Sequence, residues 1–90
     1  MTNKEFFEKT VPMMLSDDWK ERLRGEYFQL LKRHEKVFNT LCAWRRNELD
    51  FEPSYDYFLL VEQCKAMEEY LHILYERAVE EGIDVTMSEG

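Results

Sequence analysis

Glycine and proline are scarce in this chain, three Gly and two Pro among 90 residues. The glycines are isolated from one another, so no Gly-rich loop is available to cradle a phosphate. Two cysteines are too few for the disulfide framework of a small secreted domain. Their mid-helix positions suit free thiols in a reducing compartment. No apolar run approaches the roughly 18 residues of a transmembrane helix, and no basic-then-apolar leader opens the chain. The expected setting is therefore the cytoplasm, with no membrane partner. Basic residues are also the minority, 12 Lys/Arg against 19 Asp/Glu, for a net charge of −7. That balance argues against direct nonspecific binding to nucleic acid.

What the chain does have is long stretches without helix breakers, patterned at helical spacing. Trp19, Leu23, Tyr27, Leu30, His34, Val37, Leu41 and Trp44 recur at steps of four and three, which places them on one stripe. Ser16 or Asp18 caps this helix, and Glu21 completes a capping box with Asp18. Gly25 lies inside the pattern at a cost of about 1 kcal/mol relative to Ala, so either the helix bends there or a neighbour approaches closely. Leu49 to Pro53 form a connection short enough for an antiparallel turn, with Phe51 tucked back onto the end. Ser54 is then placed to cap a second helix carrying Leu60, Cys64, Met67, Leu71, Leu74 and Ala78 on one stripe. Gly82 can end it in the left-handed conformation, with Ile83 folding back onto the last turn.

The expected fold class is all-α. Residues 17–83 form a long antiparallel helical hairpin, with helices over about 17–48 and 55–81. An N-terminal arm or short helix over 1–16 precedes it, presenting Phe6 and Phe7 and limited by Pro12; a tail over 84–90 follows. The second helix is apolar around about two-thirds of its circumference, because Leu59, Ala66, Tyr70 and Ile73 form an extra flank. Two helices cannot enclose a core alone. Those four residues are the expected oligomer interface, closing the hairpin as a homo-oligomeric helix bundle.

Charge divides along the chain. Asp17–Glu48 holds eight Lys/Arg and six Asp/Glu, or +2, whereas Asp50 onward holds two and eleven, or −9. The acidic strip of Glu62, Glu69, Glu76 and Glu80, with Phe58 and Phe28 as exposed aromatics, is a candidate protein-docking face. Lys32, Arg33, Arg45 and Arg46 are candidate contacts to an anionic ligand, with Lys36 beside the first pair.

No catalytic constellation emerges, and the expectation is a non-enzymatic chain without cofactor or metal. Glu69-Tyr70-Leu71-His72 has the Glu-x-x-His spacing of di-iron bundles. The helical wheel turns it toward the polar strip, whereas a bundle metal site projects inward. His34 falls on the apolar stripe and is expected to hydrogen-bond a neighbour. Cys42 and Cys64 lie about one turn out of register in the hairpin, too far apart for a disulfide without backbone shifts.

Several blocks occur in a telling order: Asp18-Trp19-Lys20-Glu21-Arg22, Glu26-Tyr27-x-Gln29-Leu30, Leu49-Asp50-Phe51-Glu52-Pro53, Leu59-Leu60-x-x-Gln63, Ala66-Met67-x-x-Tyr70-Leu71-x-Ile73-Leu74 and Arg77-Ala78-x-x-Glu81-Gly82-Ile83. Over about residues 17–85 the chain resembles a family of short helical-hairpin proteins of crAss-like and other tailed phages and prophages of gut bacteria. That family carries no assigned catalytic activity, so the resemblance transfers no functional residues. The layout is also similar to helical-hairpin phage proteins that sequester cyclic-nucleotide signals of bacterial immunity. Together with the −9 C-terminal half and the surplus apolar surface, this leads to the expectation of a phage or prophage counter-defence protein in the host bacterial cytoplasm. The first expectation is an inhibitor that binds a host immune protein, for example a CRISPR-type nuclease. The alternatives are an oligomeric sponge for a cyclic nucleotide and a phage assembly hairpin.

Overall fold

The computed structural model describes residues 1–86 and contains three helices and no strand among them: α1 (Asn3–Met14), α2 (Trp19–Arg45) and α3 (Tyr57–Glu80). Among the described residues, no helix is long and apolar enough to cross a membrane. Each helix begins with a side chain that accepts a hydrogen bond from an orphan first-turn amide. Thr2 Oγ1 accepts from Glu5 N, Asp18 Oδ1 from Lys20 N, and Asp56 Oδ1 from Phe58 N. The cap of α3 is therefore Asp56 and not Ser54, which shortens the helix at its start and lengthens the connection.

Both long helices end in the same way. Gly82 has φ 65°, and the amides of Ile83 and Gly82 donate to the carbonyls of Ala78 and Val79, completing a Schellman ending. Asn47 repeats this at φ 58°, with Glu48 N donating to Ala43 O and Asn47 N to Trp44 O. Asparagine tolerates the left-handed region better than most side chains. That ending stops α2 at Arg45, three residues short of the expected Glu48.

Helix α2 is the centre of the molecule. The Leu23–Leu41 stripe faces α3, and residues on the opposite side face α1; α1 and α3 do not pack on each other. Toward α3, Leu23 packs with Leu74 and Ala78, joined by Tyr27, Leu30, Ile83 and Val85. At the other end, Leu41 packs with Leu60 and Cys64, joined by Val37, Trp44, Tyr57 and Val61. Partner numbers thus fall along α3 as they rise along α2. The ring of Trp44 meets Tyr55 and Tyr57 edge-on at 6.0 and 5.3 Å and closes the turn end. Phe51 stands exposed at the connection and does not tuck onto that end.

On the other face, α1 seats Phe6 against Phe28, with ring centroids 6.2 Å apart. Thr10 is fully buried there; its hydroxyl donates to Phe7 O at 2.7 Å and accepts from Gln29 Nε2 at 3.0 Å. Pro12 is accommodated inside α1, which runs on to Met14. Phe28, expected at the surface, is 1% exposed. It lies about 140° around α2 from the main stripe, and that second stripe is covered by α1 instead of solvent. Arg24 and Lys32 flank this aromatic pair, 5.6 Å from the Phe28 ring and 5.2 Å from the Phe6 ring.

Gly25 is the reason α1 can lie so close. A Cβ at this position would stand 2.9 Å from Met13 Cβ and 3.0 Å from Met14 Sδ. The helix therefore accepts the propensity loss because a neighbour occupies the missing side chain's place.

The three-helix row is elongated, 42 × 25 × 20 Å with a Cα radius of gyration of 15.0 Å. A compact chain of this length would have a radius near 12 Å. The chain end at Asp84 and Val85 ties back to the core, with Arg24 Nε donating to Asp84 O at 2.8 Å. The remainder of the expected tail, 87–90, lies outside the described residues.

Two outcomes follow from this packing. Gly25→Ala gains helix propensity in α2 but forces α1 outward, so hydrogen exchange of the α1 amides accelerates severalfold while the α2–α3 core is unaffected. Uniformly slower exchange would contradict the close approach. Phe28→Ala lowers unfolding free energy by about 3–5 kcal/mol, whereas Phe58→Ala stays within about 0.5 kcal/mol; denaturant titration of both variants distinguishes core from surface.

Candidate functional site

The sequence places its candidate binding residues on three surfaces, and the structure brings them together unequally. On α3, Leu59, Ala66, Tyr70 and Ile73 all stand exposed, with Leu59 at 63% and Ile73 at 56%. Successive members lie three, four or seven positions apart, so they share one flank beside the stripe that meets α2, interrupted by Glu62 and Gln63 between Leu59 and Ala66. The flank continues onto α2: Trp19 shares a surface hollow with Ile73 and Arg77, and Val37 shares another with Leu59. No other helix covers this flank, since α3 packs on α2 alone.

Farther around α3 run Glu62, Glu69, Glu76 and Glu80, all exposed, with Phe58 at 70%. Glu76 Oε1 lies 3.5 Å from His72 Nε2. Glu62, Glu69 and Glu80 engage no cation among the described residues. Glu69 and His72 face solvent and do not converge on a bundle interior. Phe28 leaves this group because it is core.

The candidate cations on α2 and at its C-terminal end separate into engaged and free. Lys32 Nζ is 3.5 Å from Glu35 Oε2 and lies over Phe6, and Arg46 Nε is 3.3 Å from Glu48 Oε2. Arg33, Lys36 and Arg45 have no carboxylate partner among the described residues, although acidic side chains outnumber basic ones across the chain. Arg33 and Lys36 sit one turn apart on a common face of α2. On the helical wheel Arg33 lies on the Trp19/Val37 side of the α2 stripe, the side on which surface hollows join α2 to the flank of α3.

A polar cluster the sequence did not announce divides the α2–α3 core between its two apolar groups. His34 Nε2 is 3.1 Å from Glu68 Oε1, and Cys64 Sγ donates to the same carboxylate oxygen at 3.6 Å. The His34 ring stacks on Phe38 with centroids 6.2 Å apart. Burial, then the adjacent Glu68 carboxylate and Cys42, hold the Cys64 thiol above its ordinary pKa. Both cysteines are free thiols. His34 was legible as a stripe residue seeking a partner. Glu68 was not, because the register that brings it opposite His34 is a property of the packed pair.

Two other titrations are displaced. Burial and Tyr75 push the Tyr27 phenol up, and hydrogen bonds from the Thr86 hydroxyl and amide hold Asp84 below the usual carboxylate range. Neither residue faces the candidate surfaces.

A family model described as Sequestin matches residues 17–80. No curated protein and no solved structure matches the chain. The matched span begins just before α2 and ends with the last residue of α3, leaving α1 outside it. It therefore contains the apolar flank, the acidic strip, the free cations and the polar cluster. With about seven-tenths of its length inside that match, the chain belongs to the Sequestin family.

Proposed function

We propose that this protein acts by binding and not by catalysis, as an antiparallel helical hairpin that closes through its exposed flank and sequesters a small anionic signal. A cyclic nucleotide of bacterial immunity is the class that fits, which makes the chain a phage or prophage counter-defence protein of the host cytoplasm. The observation that carries this reading is the pair Arg33 and Lys36. In a chain of net charge −7, these two adjacent cations are left without carboxylates. An anion is the natural occupant of such a position, and a phosphate accepts bidentate bonds from a guanidinium. The bordering flank supplies Tyr70 for base stacking. Its surface hollows are open, so apposition of a second copy would exclude water and bring a second set of cations. The family's name agrees with sequestration in general terms.

A second reading rests on Glu62, Glu69 and Glu80, which are likewise free and form an acidic strip beside Phe58. That face would suit a basic protein surface, such as a nucleic-acid channel in a host immune nuclease. Burial of Phe28 removes one of the two aromatic anchors on which this docking would rely.

Isothermal calorimetry of the whole chain against a panel of cyclic mono-, di- and trinucleotides separates the readings. At least one member is expected to bind, and Arg33→Glu with Lys36→Glu is expected to weaken that binding at least about 100-fold, since two charge-assisted contacts are replaced by repulsion. Glu62→Lys, Glu69→Lys and Glu80→Lys together leave it within a few-fold. No heat from any nucleotide, or unchanged binding in the Arg33/Lys36 variant, contradicts the sponge.

A further inference from the structure

The polar cluster between α2 and α3 has the composition and dimensions of a metal site. His34 Nε2, Cys64 Sγ and a Glu68 carboxylate oxygen all lie within 4.8 Å of one another. Two of its edges are 3.1 Å for nitrogen to oxygen and 3.6 Å for sulfur to oxygen. Zinc bonds of about 2.0–2.1 Å to nitrogen, 2.3 Å to sulfur and 2.0–2.2 Å to oxygen, set at tetrahedral angles, require edges of about 3.4 and 3.6 Å. Small side-chain rotations of His34 and Glu68 would bring all three atoms onto one ion. From these distances we propose that His34, Cys64 and Glu68 bind a divalent transition-metal ion, zinc by preference, between α2 and α3.

The ligand set narrows the metal. One imidazole, one thiolate and one carboxylate form a borderline set, which suits zinc and is poor for magnesium or calcium, whose sites are built of oxygen. The backbone already provides the geometry. Cys64 and Glu68 are four residues apart on α3 and share one face, and His34 reaches them from α2. Burial is graded across the cluster: Cys64 is buried, His34 half-buried and Glu68 exposed. An ion can therefore enter past Glu68 and reach the thiolate, with water in the fourth position. Binding replaces the thiol proton, so each ion taken up releases one proton to solvent.

This site is separate from the Glu69/His72 pair, whose side chains are exposed, and from the Arg33/Lys36 face. It stands or falls independently of the proposed ligand. The ion would replace hydrogen bonds at the polar midpoint of the α2–α3 interface with coordinate bonds from both helices, pinning their register.

The test uses the whole chain, stripped with chelator and reduced. Native mass spectrometry after addition of Zn(II) should report one ion per chain. Co(II) in its place should give a thiolate-to-metal charge-transfer band in the near ultraviolet, and Cys64→Ser should abolish it. His34→Ala and Glu68→Gln, whose side chains lie nearer the surface and whose folding circular dichroism verifies, should each weaken Zn(II) binding at least about 100-fold, since even lost outer-shell partners cost about 10–100-fold. Absence of the cobalt band in the parent chain, its survival in Cys64→Ser, or unchanged Zn(II) affinity in both His34→Ala and Glu68→Gln would overturn the assignment.

Discussion

Helix α2 is covered on two opposite faces by helices that do not meet each other. This arrangement sets the limits of everything else in the fold. A closed three-helix bundle lets each helix bury a wide arc against two neighbours. In a row, only the middle helix has two neighbours, and the outer ones keep a free side. Phe28 and Leu23 are both buried because they lie on opposite faces of α2. Leu59 and Ile73 are exposed because α3 has a single neighbour. Gly25 makes the row possible by letting α1 seat its Met13 and Met14 against the α2 backbone.

The interface between α2 and α3 is divided along its length. Leu23, Leu74 and Ala78 form one apolar group, Leu41, Leu60 and Cys64 the other, and the His34–Glu68 hydrogen bond falls between them. An apolar stripe alone lets two helices slide by a turn at modest cost. A polar contact in the middle penalises such slips, since each would leave a partly desolvated group without its partner. The turn-end aromatics and the Schellman endings then fix where each helix stops. The same polar contact that sets register places three metal-ligating atoms together.

Much of this architecture was legible in residue spacing. The four-and-three stripes of α2 and α3 identify the facing residues, and Gly82-Ile83 identifies the end of α3, because these are local patterns with a local cause. Asp56 caps α3 where Ser54 was expected, a choice between two competent side chains that spacing cannot make. Phe28 looks like a surface aromatic from spacing alone, because the main stripe accounts for only one buried face of α2; Gly25 three residues earlier marks the second face. The cationic surface was only half legible: Lys32 and Arg46 are engaged and Arg33 and Lys36 are free, a distinction that depends on side-chain reach. The His34–Cys64–Glu68 cluster needed the register of two helices and has no sequence signature of its own.

The exposed flank of α3 and the free cations beside it belong to one physical situation, a helix with one neighbour too few. If a second copy supplies that neighbour, sedimentation equilibrium of the purified chain gives a mass that is a whole-number multiple of the protomer's, and Ile73→Glu with Leu59→Glu returns it to the protomer mass with helix content intact. A protomer mass for the unaltered chain across the micromolar range, or an assembly indifferent to those two charges, would contradict it.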